Sequence, residues 1–180
     1  MKRSIYILTG LVLLFSCKEP KVRKPKQHST TNFYKEVLDQ NKKLNELENK
    51  RIEYLISQDT LHQYKSSSNG FWYTFIQKDT INHVVPKEND LVTIQYTIQD
   101  VNGNPIYAKQ ERTYKVDKED FIPGLQDGIK LMKEGETVTF IVPSYRAYGV
   151  VGDGNKIGIN QPLKSTLTLI KIKQKTNENK

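Results

Sequence analysis

The spacing of apolar residues changes period several times along this chain, and each change predicts an element. Val92, Ile94, Tyr96 and Ile98 alternate with Thr93, Gln95, Thr97 and Gln99, the period of a strand with one buried face. Val138, Phe140 and Val142 alternate in the same way with Thr137, Thr139 and Ile141, and Pro143 closes that run. Phe71-Trp72-Tyr73-Thr74-Phe75-Ile76 is aromatic and β-branched and predicts a third strand. Arg112 to Val116 and Ser165 to Ile172 predict two more. Between Val116 and Thr137 the period becomes helical, with Leu125, Ile129 and Met132 at i, i+4 and i+7, and Gly135 ends that helix. Asn102-Gly103-Asn104-Pro105 is a turn, and Gly149 to Leu163 is a glycine-containing loop. Five antiparallel strands around one short helix make an α+β half-barrel.

Upstream, Asn32 caps a predicted helix from Phe33 to about Ile56. Phe33, Val37, Gln40, Leu44, Leu47, Arg51 and Tyr54 share one heptad seam, broken by two polar residues. The uses open to that helix are to pack on its own domain or stay partly frayed, or to serve as a client-holding arm or a homodimer arm through residues 33–56. Ser66-Ser67-Ser68-Asn69-Gly70 marks the boundary to the strands.

At the start of the chain, Lys2 and Arg3 precede an apolar run from Ile5 to Phe15, too short to span a bilayer and shaped as an export signal. Leu14-Phe15-Ser16-Cys17 resembles a bacterial lipobox. That resemblance implies acylation of Cys17 after cleavage before it, and hence a membrane-anchored, extracytoplasmic protein. Cys17 is the only cysteine, so the chain holds no internal disulfide. Lys18, Lys21, Arg23, Lys24 and Lys26 follow, with Pro20 and Pro25 opposing a helix. Such a stretch is either a solvated linker or, next to a lipid anchor, a tether that adds about 1 kcal/mol per charge on anionic lipid. The expected organisation is a signal at 1–16, a basic tether at 17–31, a helical arm at 32–65, a folded domain at 66–175 and a polar tail at 176–180.

The formal charge of +8 leaves nucleic acid to be considered. No zinc, helix-turn-helix or RNA-recognition pattern accompanies it, so no nucleic-acid partner is expected. His28, His62 and His83 lack ligand spacing, and neither metal nor cofactor is expected. Gly152-Asp153-Gly154 lacks the Lys-Ser/Thr of a phosphate loop, and Ser144 lacks the context of a nucleophile elbow. Asp117, Glu119 and Asp120 read as a solvated acidic loop.

Three stretches together resemble the FKBP-type peptidyl-prolyl isomerases: Phe121-Ile122-Pro123-Gly124-Leu125-Gln126-Asp127-Gly128, Met132-Lys133-Glu134-Gly135, and Pro143 through Ala147-Tyr148-Gly149. The resemblance spans about residues 70–173 and implies the same half-barrel. With the lipobox, it is also similar to the isomerase lipoproteins associated with gliding motility. It implies a catalytic pocket of Tyr96, Phe121, Ile122, Leu125 and Tyr148. The Ile122 N–H and the Tyr148 hydroxyl would donate hydrogen bonds there, and Leu125 would take the floor. Substrate contacts would come from Ile106, Tyr107, Ile159 (with Ile157) at the flap tip, and Leu169 on the last strand. Leu125 stands where the family commonly has Trp. Ile106-Tyr107 replaces a Phe-Asp pair, which removes an acid from the expected pocket. Asn160-Gln161-Pro162 makes the flap more polar.

The implied reaction breaks no covalent bond. Amide resonance sets a barrier of about 18–20 kcal/mol to X-Pro rotation, and the twisted amide is less dipolar than the planar one, so a dry apolar pocket favours it. The expected partners are proline-containing protein clients. Set against this is a non-catalytic module that uses the same pocket to hold a membrane-associated partner.

Overall fold

The computed structural model describes residues 30–81 and 84–175. The segments expected to be an export signal and, as far as residue 29, a tether lie outside the described residues, as do Cys17, His28, His83 and the tail at 176–180. Two compact units divide the chain, Met1–Leu38 and Asp39–Lys180.

Helix α1 runs Thr30–Gln58 through a sequence with neither Gly nor Pro between Lys26 and Gly70. It starts two residues before Asn32, which is therefore inside the helix and not its cap. In the first unit, the Phe33 and Tyr34 rings meet edge-on at 6.1 Å and both are exposed. In the second unit, Asp59 closes the helix by accepting the amides of Leu61 (3.0 Å) and His62 (3.2 Å).

The second unit is built on an antiparallel sheet. Its strands are β1 (Lys65–Ser66), β2 (Trp72–Gln77), β3 (Leu91–Asp100), β4 (Pro105–Lys115), β5 (Thr137–Val142) and β6 (Leu163–Lys173), in the order β1-β2-β5-β6-β3-β4. Compared with the expected five strands, β1 is an additional two-residue edge. The expected strand Arg112 to Val116 is, up to Lys115, the end of an eleven-residue β4 that starts at the Asn102–Pro105 turn.

On β3, Val92, Ile94, Tyr96 and Ile98 are buried and the residues between them are not, as the alternation predicts. Strand β6 keeps that alternation from Leu163 to Leu169. The register between Thr93 and Ile94 then slips from Lys171 to Leu169, and the skipped Ile170 is exposed. Strand β5 is buried on both faces from Val138 to Val142. Val138, Phe140 and Val142 join the main core, while Ile141 faces the other way, to Trp72 and to Ile52 of α1.

Helix α2 (Pro123–Ile129) packs on the core face of the sheet. Pro123 opens it, where a missing N–H costs nothing. Leu125, Ile129 and the following Met132 are fully buried, each contributing about 1.5–3 kcal/mol by leaving water. A Cβ on Gly128 would stand 2.5 Å from the Phe140 ring, so glycine lets helix and strand touch. The helix ends at Lys130 in ordinary helical geometry, which corrects the expectation that Gly135 ends it. Gly135 has φ +87° in a later turn, and its N–H donates to the Leu169 carbonyl at 2.7 Å.

Candidate functional site

Between β3, β4, the start of α2 and the 148–157 loop lies a cavity of about 490 Å³. One side belongs to the sheet and helix. Tyr96 points inward by the β3 alternation, and its ring meets Phe121 edge-on at 5.2 Å. Arg112 on β4 lies 5.4 Å over the Phe121 ring and donates to the Asp120 carbonyl at 3.0 Å, fixing the segment that leads into α2. Ile122 caps α2 and lines the cavity, and its N–H finds no acceptor among the described residues. Gln110, opposite Tyr96 in the ladder, accepts the Tyr96 hydroxyl at 3.4 Å.

The other side is loop. Strand β5 ends at Pro143, and the 3-10 turn Ser144–Arg146 carries the chain to Tyr148, which stands at the cavity with 39% of its surface exposed and no hydrogen-bond partner on its hydroxyl among the described residues. The loop folds back when Asn160 N–H donates to the Gly149 carbonyl at 2.7 Å. Asp153 organises its interior. Its Oδ1 accepts the amides of Asn155 (2.9 Å) and Ile157 (2.8 Å), and its Oδ2 accepts the Tyr107 hydroxyl at 2.5 Å. Gly152 has φ +72°, and a Cβ there would lie 2.4 Å from the Ile157 carbonyl, so this turn admits only glycine.

The titratable groups at the cavity follow from this packing. Burial pushes the Tyr96 hydroxyl up against the opposing charge of Arg112. Burial, then the negative charge of Asp153, pushes Tyr148 up as well. Both phenols are therefore protonated donors at neutral pH. For Asp153, burial acts to raise the carboxyl, but the bonds from Tyr107 and the loop amides outweigh it and hold the group below its ordinary value.

Of the residues singled out in the sequence, Tyr96, Tyr107, Phe121, Ile122, Ile157 and Tyr148 line the cavity. Leu125 and Leu169 do not; both are 0% exposed in the core beneath it. Ile106 packs half-buried against that core, and Ile159 is 68% exposed, away from the wall. The expected loss of an acid is also corrected: with tyrosine at 107, the carboxylate comes from Asp153, 46 residues further along. Asp120, assigned above to a solvated loop, lines the cavity too. The signal for Asp153 was its place between two glycines, which marks a tight turn but not what the turn faces. Among the described residues no cluster of His, Cys, Asp and Glu could hold a metal ion, and no helix is long and apolar enough to cross a membrane.

Residues 83–170 match the family of FKBP-type peptidyl-prolyl cis-trans isomerases. The chain is 32% identical over 118 residues to the probable FKBP-type isomerase FkpA of Neisseria meningitidis serogroup B, an alignment covering 60% of this chain and 40% of that protein. It is 30% identical over 114 residues to FkpA of Aeromonas hydrophila, covering 61% and 41%. The chain thus spans about two fifths of the length of these relatives. Among solved structures, FkpA from Escherichia coli superposes with a TM-score of 0.59 at 22% identity, covering 94% of this chain and 82% of that one. A peptidyl-prolyl isomerase from Pseudomonas syringae pv. tomato does so with 0.58 at 23%, covering 72% and 96%. At these identities the structural likeness shows a shared fold.

Proposed function

Since residues 83–170 belong to the FKBP-type peptidyl-prolyl cis-trans isomerase family, we propose that this chain catalyses cis-trans isomerisation of X-Pro bonds in exported proteins. One observation carries the reading. The apolar pair Tyr96–Phe121 and two unpaired donors, the Ile122 N–H and the Tyr148 hydroxyl, belong to the same cavity.

The apolar pair receives the proline ring and excludes water from the amide. As the amide twists it loses resonance and dipole, so the dry wall favours the twisted form over the planar one. The Ile122 N–H and the Tyr148 hydroxyl supply donors to substrate carbonyls, which orient the peptide without transferring a proton. Each 1.4 kcal/mol or so of differential stabilisation speeds rotation tenfold. Uncatalysed isomerisation takes tens of seconds, long enough to limit the folding of a client.

Exchange spectroscopy on a short Ala-Leu-Pro-Phe peptide tests the reading. Cis-trans exchange faster than the uncatalysed rate is expected, with loss of most of the acceleration in Tyr148→Phe and Tyr96→Ala. Peptide binding with no acceleration would leave a binding module in its place.

The same proposal puts the protein outside the cytoplasm, held on a membrane through acylated Cys17. Cys17→Ser should release it to the soluble fraction, and a cleaved variant that stays on the membrane would refute the anchor. The partner assigned to residues 33–56 is a second copy of the chain, on the support that Leu44, Leu47 and Tyr54 of the seam are exposed. Sedimentation at tens of micromolar should show a dimer; a monomer leaves it as a helix that packs on its own domain.

A further inference from the structure

We propose that Glu48, on α1, is a positioning residue for the Tyr148 loop, and the inference rests on the isomerase reading above. Strand β5 stops at Pro143 and a 3-10 turn follows at once, with no local side chain capping its N-terminus. Ser144 is nearly fully buried, so its N–H and its hydroxyl both need acceptors within the protein. Glu48 supplies them from 96 residues away. Its Oε1 accepts the Ser144 N–H and its Oε2 the Ser144 hydroxyl, each at 2.6 Å.

These two bonds place a charged acceptor at the buried donors that open the turn, the arrangement that gives short, strong hydrogen bonds. They also hold the residue that organises the loop. The Ser144 carbonyl accepts the Ala147 amide at 2.9 Å and the Gly149 amide at 2.8 Å, the two neighbours of Tyr148. Asn49, next to Glu48, accepts the Tyr145 hydroxyl at 3.2 Å. One turn further along α1, Ile52 packs against Trp72 of β2 and Ile141 of β5 and fixes the helix by apolar contact alone. The helix thus does two separable things: Ile52 anchors it, and Glu48 sets the backbone on which Tyr148 stands. Tyr148 reaches the cavity four residues after Ser144, too few for an error at Ser144 to be absorbed before the ring.

The test compares Glu48→Ala, Glu48→Gln and Ile52→Ala in the full chain, with peptide isomerisation and hydrogen exchange as readouts. Glu48→Ala should lower kcat/KM about tenfold, equivalent to about 1.4 kcal/mol, and speed amide exchange at Ser144, Ala147 and Gly149 while the β6 amides stay protected. Glu48→Gln, which keeps an acceptor for the N–H and a polar group for the hydroxyl, should recover most of the activity. Ile52→Ala should cost more stability than Glu48→Ala yet leave kcat/KM within twofold. Unchanged kcat/KM in Glu48→Ala, or an equal loss in Ile52→Ala, overturns the assignment. If the unmodified chain has no isomerase activity, the functional reading falls, and exchange at Ser144, Ala147 and Gly149 still decides whether Glu48 holds the turn.

Discussion

The two sides of the cavity are made by different physics. Tyr96, Phe121 and Ile122 stand on β3 and at the start of α2, and are held by apolar packing onto Leu125, Ile129 and Phe140. Tyr148 and Asp153 stand on a loop with no strand or helix of its own, held by hydrogen bonds along it to Ser144, Gly149, Asn155 and Tyr107, and of that loop Ile157 is buried with the core. A wall held by burial shares the stability of the whole domain and fails only when the domain does. A wall held by a few polar bonds at the surface can open by itself, because such bonds exchange readily with water. The rigid side suits a proline ring of constant shape, and the loop side suits client chains that differ around it.

The largest expected effect falls on the packed side. Leu125→Ala empties a fully buried site and should cost about 2–5 kcal/mol in urea unfolding. Because Leu125 is not on the cavity wall, the folded fraction should retain kcat/KM within a few-fold. A tenfold loss in fully folded protein would mean that the core beneath the cavity shapes it directly.

Gly152→Ala strikes the loop side. It puts a side chain on a backbone at φ +72° and 2.4 Å from a carbonyl, and should cost about 1–3 kcal/mol. The damage should stay local: faster exchange at residues 153–157 and lower kcat/KM, with a smaller fall in Tm than Leu125→Ala gives. Global unfolding of this variant would break the distinction between the two sides.

Asp153→Ala should reduce kcat/KM several-fold with a smaller change in Tm than Leu125→Ala gives, since it releases Tyr107 and two loop amides, of which only that of Ile157 belongs to a core residue. Tyr107→Phe, which loses one of those three bonds, should have the smaller effect. A reversed order would make the Tyr107 hydroxyl itself a substrate contact.

The smallest effect is one of pH. Asp153 is held below its ordinary value of 3.8, so its contribution to the closed loop is complete above that value and is lost as pH falls through the lowered one. The Ile157 amide shift, followed by NMR, should stay constant from neutral pH to about 4 and move only below it. A midpoint above 3.8 would mean that burial outweighs the hydrogen bonds.

Much of the packed side was legible from sequence. The period of two on β3 turned Tyr96 inward, and the i, i+4, i+7 spacing put Leu125, Ile129 and Met132 under the sheet. Periodicity could not say that Leu125 and Leu169 lie beneath the cavity instead of on it, because a floor and a core are equally apolar. It was silent on the loop, where Ile157 and Ile159 look alike. The Ile157 N–H donates to the Asp153 carboxylate and Ile157 is left 3% exposed, while Ile159 stands in water. On α1 the heptad seam runs through Phe33, Val37, Gln40, Leu44, Leu47, Arg51 and Tyr54, but from Asp39 onward the side that packs on the sheet carries Glu48, Ile52 and Ile56. With so few apolar residues on that side, its pattern is too sparse to stand out.

By itself, the sequence determined the strand and helix periods, the apolar face of α2 and the motifs around Phe121 and Tyr148. Each of these depends on neighbours a few residues apart, and burial free energy leaves its period in the local chain. Tertiary structure alone decided that Asp153 supplies the pocket's acid to Tyr107 and that Glu48 holds Ser144. Those bonds join residues 46 and 96 positions apart. A carboxylate beside a glycine, or on a helix, has the same local pattern whatever it binds; only the closing of the chain brings its partner within reach.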